Sequence, residues 1–348
     1  MEISIIMLTF GNNNKDFMKS YLNHLLFLLH FGFMLSYSAV AQDTTFIHKE
    51  VKPIIKGSLI KTPEALGISP KVQKAINEMT NPPINIALFG VDRRNTHDQS
   101  NSDVIIILSI NQQKGQVKMS SIMRDTYVNI EGKGMDKINA AFALGGPQLA
   151  VKTINQNFEM DIKDYMNVDF YSAAKIVDAL GGVMIDVKEA EVPYLNNYLD
   201  ELVNIGTVSK AEHVSKAGLQ RLNGNQAVAY TRIRYVGRGD YERTERQRSV
   251  MVALFNQIKN AGQNMFPVLA SQVMPNLETS MNNMTMLGFA SGILGAKNKA
   301  IEQARFPLDK QSTGKRINNI WYLTTDLKAT AVSLHDFIYK DIKPLNKN

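Results

Sequence analysis

The chain has 348 residues, more than one hydrophobic core usually serves, so one large domain with a non-globular appendage, or two modest domains, is expected. At 44% apolar and 20% charged residues it can bury a substantial core, which excludes disorder as its main state. The lack of cysteine excludes disulfide frameworks, cysteine zinc sites, iron–sulfur clusters and thiol nucleophiles, while the net charge of +7 admits nucleic acid, an anionic membrane or a phosphorylated substrate as partner.

Residues 1–20 read as a cytoplasmic N-terminus. The uncharged stretch from 21 to 42, with LLFLLHFGFML at its centre and Lys15 and Lys19 before it, reads as a transmembrane signal anchor that sends the rest of the chain outside. Ala39-Val40-Ala41 also fits the small-x-small site of a cleaved signal peptide, and a buried helix of a soluble protein is the third reading. Residues 43–83 carry five prolines and read as a linker with one short helix around Lys71 to Met79.

The globular domain is expected over 84–343. Ile84 to Val91, Asp103 to Ile110 and Gln116 to Ile122 are short β-branched runs that predict buried strands. Helices are expected from Gln148 to Phe158, behind Gly146-Pro147, and from Phe170 to Leu180, stopped by Gly181-Gly182 before a strand at Val183 to Val187. A polar insertion follows from Ala190 to Gly218, partly helical and placed as a rim or lid. Beyond it the pattern predicts a helix at Asn223 to Val228, a strand at Tyr230 to Tyr235, and a helix from Glu245 to Lys259. A late strand at Trp321 to Leu323 and a closing helix near Leu334 to Tyr339 end the chain. Interleaved strands and helices predict an α/β domain with helices on both faces of the sheet.

Asp92 ends the first strand run and Asp103 begins the second. On neighbouring antiparallel strands the two carboxylates would share one sheet edge, a donor set that suits magnesium, although strand-end carboxylates facing solvent would look the same. Arg93 and Arg94 share the intervening loop, and Arg124 follows the third strand beside Asp125. Basic residues beside carboxylates suit a metal-assisted phosphate site, and equally a plain ion pair. Arginine is the more telling cation. Six of the twelve, Arg232, Arg234, Arg238, Arg243, Arg246 and Arg248, fall within 17 residues, whereas lysine is scattered.

Strand alternation would put Arg232 and Arg234 on one face, where an anion relieves their repulsion. Thr244 and Gln247 have the spacing of a capping box, which would leave Arg243 and Arg246 flanking the positive end of a helix starting at Glu245. The competing reading is an exposed strand and helix edge neutralised by Asp240, Glu242 and Glu245. Arg238-Gly239-Asp240 matches an adhesion tripeptide too short to count. The six histidines are too dispersed for a local metal pair, and no Walker loop, G-x-S-x-G elbow or dinucleotide fingerprint occurs. Met265, Met274, Met281, Met284 and Met286 suit core packing, or equally an adaptable lipid groove.

The ordered blocks NIALFGVDRR, SDVIIILSI, SSIMRDTYVNI, DKINAAFALGGPQLAVKTI, VDFYSAAKIVDALGGV, GLQRLNGNQAVAYTRIR and GDYERTERQR, from Asn85 onward, together resemble the LytR-CpsA-Psr family of bacterial cell-envelope proteins. The resemblance implies an extracytoplasmic, single-pass membrane protein with a three-layer α/β/α sandwich around a central mixed sheet, holding a polyprenyl phosphate between sheet and helices. It implies a phosphotransferase that moves a glycopolymer, such as wall teichoic acid or capsular polysaccharide, from an undecaprenyl-pyrophosphate carrier to peptidoglycan. By the same resemblance Asp92 and Asp103 associate with magnesium. Arg94 and Arg124 contact pyrophosphate, Lys137 and Asn139 line the site, Arg232 and Arg234 form a pair, and Asp240, Arg243 and Gln247 complete it.

The chain departs from the family pattern at Asn101, where many members carry an arginine that Arg93 could replace, and at Met123, where proline is frequent. Asp103 and Asp240 are the two candidates for general base. The rival functions are a polyprenyl-pyrophosphate phosphatase and a non-catalytic regulator or scaffold of envelope synthesis. Nucleic-acid binding is not expected, because no DNA-reading motif accompanies the arginines.

Overall fold

The computed structural model describes residues 58–92, 100–204, 210–296 and 300–344. The N-terminal segment expected as an anchor lies outside these residues, as do Arg93, Arg94 and His97. Among the described residues no helix is long and apolar enough to cross a membrane.

In chain order the main elements are α1 (Pro70–Glu78), β1 (Ile84–Val91), β2 (Ser102–Asn111), β3 (Gln116–Ile122), β4 (Tyr127–Ile130), β5 (Gly134–Lys137) and α2 (Ala140–Phe158). Next come β6 (Asp164–Asp169), α3 (Phe170–Ala179), β7 (Val183–Val187), α4 (Val192–Asn204), β8 (Gly218–Leu222), α5 (Gly224–Arg232) and α6 (Asp240–Ala261). The last are β9 (Glu278–Thr279), α7 (Asn283–Gly295), β10 (Glu302–Phe306), β11 (Ser312–Ile317), β12 (Ile320–Thr325) and α8 (Leu327–Lys340).

The central sheet has the order β10-β3-β2-β1-β6-β9 and is mixed: β1 pairs antiparallel with β2 and parallel with β6. The continuous apolar runs of β1 and β2 follow from burial on both sides. Ala87, Phe89, Val91, Ile105 and Ile107 point into one core, with residues of α1, α2 and α8. Ile86, Leu88, Ile106, Leu108 and Ile110 point into the other, with Ile176 of α3, Phe255 and Ile258 of α6, and Phe289 and Ile293 of α7. Helices therefore cover both faces, as expected from the interleaved pattern. A third cluster joins the β7–β8 hairpin to α4 and α5 through Val183, Ile185, Leu195, Leu199, Leu222 and Ala227.

Three expectations need correction. The stretch read as linker packs from residue 59 onward, because Leu59, Leu66, Ile68 and Val72 are buried in the first core. The helix expected from Gln148 stands: Gly145 and Gly146 have non-helical backbone and separate it from a short helix that starts at Ala140, so Gly146-Pro147 leads into it as the sequence indicated. Tyr230 to Tyr235 is not a strand: α5 runs to Arg232, and only then does the chain turn. Asn223 starts α5 with a capping box closed by Gln226, and Ala227 to Tyr230 bury its inner face, so tertiary burial overrides a short β-like run. Finally, α6 begins at Asp240, with Gly239 as N-cap, and not at Glu245. Asp240 and Glu242 occupy its first turn, where negative charge complements the helix dipole; Thr244 donates to the Asp240 carbonyl instead of capping.

Candidate active site

Antiparallel pairing of β1 and β2 brings Asp92 and Asp103 to one end of the sheet. Val91 faces Ser102 across a bulge, so Asp103 lies beside the point where β1 ends. The turn after β3 delivers Arg124 and Asp125 to the same end, β5 delivers Lys137, and the first turn of α6 delivers Asp240 and Arg243. Arg124 is the hub. Its guanidinium bonds the Asp103 carboxylate and lies 3.3 Å from Asp240 Oδ1 and 3.6 Å from Asp125 Oδ2. Arg243 reaches Asp240 Oδ1 at 2.9 Å and Asp103 Oδ1 at 3.9 Å, and Arg234 approaches Asp103 Oδ2 at 4.0 Å. Lys137 Nζ meets Asp125 Oδ1 at 2.6 Å.

Burial opposes the charge on Arg124, but Asp240, Asp103 and Asp125 outweigh it and raise its pKa. Arg243 is held below the ordinary arginine range, because burial and the neighbouring Arg124 and Arg234 outweigh its carboxylate partners. A buried guanidinium crowded by two others is a place where an anion stabilises the fold. Several buried polar atoms have no hydrogen-bond partner, among them Arg124 Nε, Arg243 Nε, Asp240 Oδ2, Asn139 Oδ1 and Ser102 Oγ. Such a concentration of unsatisfied groups around one point indicates a ligand site.

The six-arginine stretch does not form one cluster. Arg234 and Arg243 enter the site. Arg232, the last residue of α5, stands at its rim: it pairs with Glu201 at 3.0 Å and packs against the rings of Phe170 and Tyr198. Arg232 and Arg234 are therefore not neighbours on a strand face. Arg246 is structural, buried on Glu191 at 2.7 Å and donating to the carbonyls of Ile233 and Val236. Arg238 pairs with Glu242 at 3.2 Å, and Arg248, whose pKa burial lowers to about 10, bonds Gln303 at 3.2 Å. The sequence offered an Arg124 pair with Asp125 or Asp103 on equal terms with a functional role, and Arg124 makes both contacts. Asp125 is buried between Arg124 and Lys137; the adjacency Arg124-Asp125 was the available signal.

Behind the charged cluster, between the sheet and helices α3, α5, α6 and α7, lies a cavity of about 250 Å³. Leu88, Met166, Ile176, Leu254, Met286 and Phe289 are typical of its lining, which also includes Met274 and Met281. Met284 instead is 76% exposed. The polar lining residues are Thr231 and Gln247, and together with Val104 they place the charged end of the cavity next to Arg232, Arg243 and Asp103.

An apolar cavity that ends at arginines and carboxylates has the polarity to take an amphiphile with an anionic head. The chain belongs to the LytR-CpsA-Psr family, whose model matches residues 54–335. A curated relative, the polyisoprenyl-teichoic acid–peptidoglycan teichoic acid transferase TagU of Oceanobacillus iheyensis, is 31% identical over 86% of this chain and 85% of its own length. Among solved structures, TagV of Bacillus subtilis is 26% identical with a TM-score of 0.61, covering 76% of this chain and all of that one. TagT with bound octaprenyl pyrophosphate lipid shares the fold at a TM-score of 0.60 and 23% identity, over 81% of this chain and 99% of that one.

Proposed function

We infer that this enzyme is a transferase that moves a glycopolymer from a polyprenyl-pyrophosphate carrier to a hydroxyl of peptidoglycan at the outer face of the cell membrane. The observation that carries the reading is the apolar cavity meeting the arginine–aspartate cluster, as a lipid tail and its pyrophosphate require. The names of the relatives point the same way.

Arg243, Arg234 and Arg124 bind and orient the pyrophosphate, with Lys137, Asn139 and Gln247 lining its surroundings; Arg93 and Arg94, next to Asp92 in the sequence and outside the described residues, are the further cations of this reading. The acceptor hydroxyl oxygen attacks the sugar-side phosphorus, the bond from that phosphorus to the bridging oxygen breaks, and polyprenyl monophosphate leaves. Fixed cations stabilise charge on the phosphate oxygens, which is the main demand of phosphoryl transfer. The acceptor's proton passes to a carboxylate. Asp240 is favoured, because its Oδ2 has no partner while both Asp103 oxygens lie within 4.0 Å of guanidinium groups.

The residues fit a magnesium ion. Asp92 and Asp103 offer hard carboxylate oxygens, and Ser102 Oγ and Asn139 Oδ1 are oxygens without hydrogen-bond partners in the same region. The described cations Arg124, Lys137, Arg234 and Arg243 are matched in number by Asp92, Asp103, Asp125 and Asp240, so the charge of the pyrophosphate is left to Arg93, Arg94 and the ion. Held by Asp92 and Asp103, magnesium would supply further positive charge.

The test is incubation of the full chain with a synthetic polyprenyl-pyrophosphate glycan and peptidoglycan oligomers, with and without magnesium, followed by mass spectrometry. Magnesium-dependent joining of glycan to peptidoglycan is expected. Release of glycan phosphate into water would identify a phosphatase instead, and binding without turnover a scaffold.

A further inference from the structure

The β11–β12 hairpin projects from the body beside the candidate site. Asn318 and Asn319 both have positive φ, 49° and 65°, the conformation of a tight two-residue hairpin turn. Its base is anchored: Leu323 is fully buried and donates its backbone N–H to the Asp125 carbonyl. Tyr322 stacks on Tyr127 with centroids 4.7 Å apart and lies 5.9 Å from Lys137 Nζ. Asp125 and Lys137 belong to the charged cluster, so the hairpin rises directly from its edge.

Its outer half has a different character. Ile320 is 50% exposed and Trp321, the chain's single tryptophan, is 38% exposed. Lys315 and Arg316 are exposed beside them, and residues 310–325 contain no acidic side chain. The register pairs Arg316 with Trp321 and Lys315 with Tyr322, so alternation sends Trp321 and Arg316 to one face and Ile320 and Lys315 to the other. One face of the finger thus carries Trp321 with Arg316, and the other carries Ile317 and Ile320 with Lys315. A protein partner would be met by one face. A finger apolar and basic on both sides suits edge-on entry into the boundary of an anionic bilayer, where tryptophan settles at headgroup level and cations add electrostatic attraction.

We propose that the β11–β12 hairpin is a second membrane contact, separate from any N-terminal anchor, which inserts Ile320 and Trp321 into an anionic lipid surface and holds the charged end of the cavity against the bilayer. For the benefit to lipid loading the inference rests on the transferase reading; for the membrane contact itself it rests on the hairpin alone.

Trp321 makes the test specific, since all tryptophan fluorescence of the chain comes from the hairpin. The full chain is reconstituted into phosphatidylglycerol or phosphatidylcholine vesicles, so that any N-terminal attachment is the same in both. In phosphatidylglycerol the emission is expected to shift to the blue, to be quenched by brominated acyl chains and to be shielded from aqueous acrylamide. K315E/R316E is expected to weaken that insertion by more than about twentyfold, at about fivefold per cation removed. R234A is expected to leave the signal intact while abolishing transfer, which separates failure of this inference from failure of the transferase reading. Emission that stays red and open to acrylamide in both vesicles overturns the proposal. So does a shift that requires added peptidoglycan oligomers and not lipid, which would make the hairpin a glycan-binding surface.

Discussion

Arg124 and Arg234 both touch Asp103, yet their removal should have different consequences. Arg124 is 18% exposed and is the shared partner of three carboxylates. Arg124→Ala leaves those charges uncompensated in a partly buried site and should cost about 2 kcal/mol, less than a fully buried pair would, together with activity. Arg234 is 41% exposed and 4.0 Å from its partner, so Arg234→Ala should abolish transfer with the urea midpoint nearly unchanged. Equal loss of stability in both variants would show that Arg234 serves the fold and not the substrate. Arg246 gives the opposite extreme. Its pair with Glu191 is almost completely buried, and Glu191→Ala should cost about 3 kcal/mol or more in urea unfolding, because a lone guanidinium is left inside.

At the scale of elements, the approach of α3 to α5 sets the width of the apolar cavity. Gly224 begins α5 against α3: its N–H is bonded by Asp178 at 2.7 Å, and a Cβ there would sit 2.1 Å from the Ala174 carbonyl oxygen. No side-chain rotation relieves a clash with backbone, so Gly224→Ala should push the helices apart and cost about 2 kcal/mol in urea unfolding. Ala173, Ile176 and Val177 of α3 and Ala227 and Val228 of α5 all line the cavity, so octaprenyl phosphate binding should weaken in the same variant. Unchanged stability would show that the contact can relax. The same elements show where local pattern misleads. The run from Tyr230 to Tyr235 alternates like a strand, but the capping box at Asn223 and the burial of Ala227 to Tyr230 make helix of its first part. The Thr244–Gln247 spacing matches a capping box, yet the first acidic turn at Asp240 starts the helix earlier.

Across the whole molecule, the end of the sheet remote from the active site is closed by a buried cation. Lys118 of β3 is 2% exposed and donates to the last carbonyls of α8, at Phe337 and Ile338, while also bonding Asp341 just beyond the helix. The hydrogen bond from Lys118 leads the interactions that hold the Asp341 carboxyl far below its usual range, with Lys114 and Gln116 adding to it. A depressed carboxylate contributes stability above its unfolded pKa and loses it as pH falls through the folded value. Thermal unfolding followed from about pH 6 down to about pH 2 should therefore show an acid limb that Asp341→Asn flattens, with a lower Tm at neutral pH. An acid limb identical in the variant would assign it to other carboxylates.

The apolar runs at Ile84 to Val91 and Ile105 to Ile110, the glycine stop at Gly181-Gly182 and the charged residue types at the sheet end were all legible in the sequence, because strand burial and turn chemistry are local. The arginines beside carboxylates read equally as a phosphate site and as plain ion pairs, and Arg238 and Arg246 form such pairs. The division of labour among the arginines was not legible: Arg234 and Arg243 reach the site, Arg232 packs on Phe170 and Tyr198 at its rim, and Arg246 holds the fold. Direction from a helix end or a turn depends on where α4, α5 and α6 pack, which no spacing within 232–248 encodes. The apolar cavity was likewise hidden, because its walls come from segments more than a hundred residues apart, and an apolar residue facing a void reads the same as one facing a neighbour. The charged residue types at the sheet end were settled by the sequence alone. Which of them converge there, and the apolar space behind, were decided only when distant elements packed together.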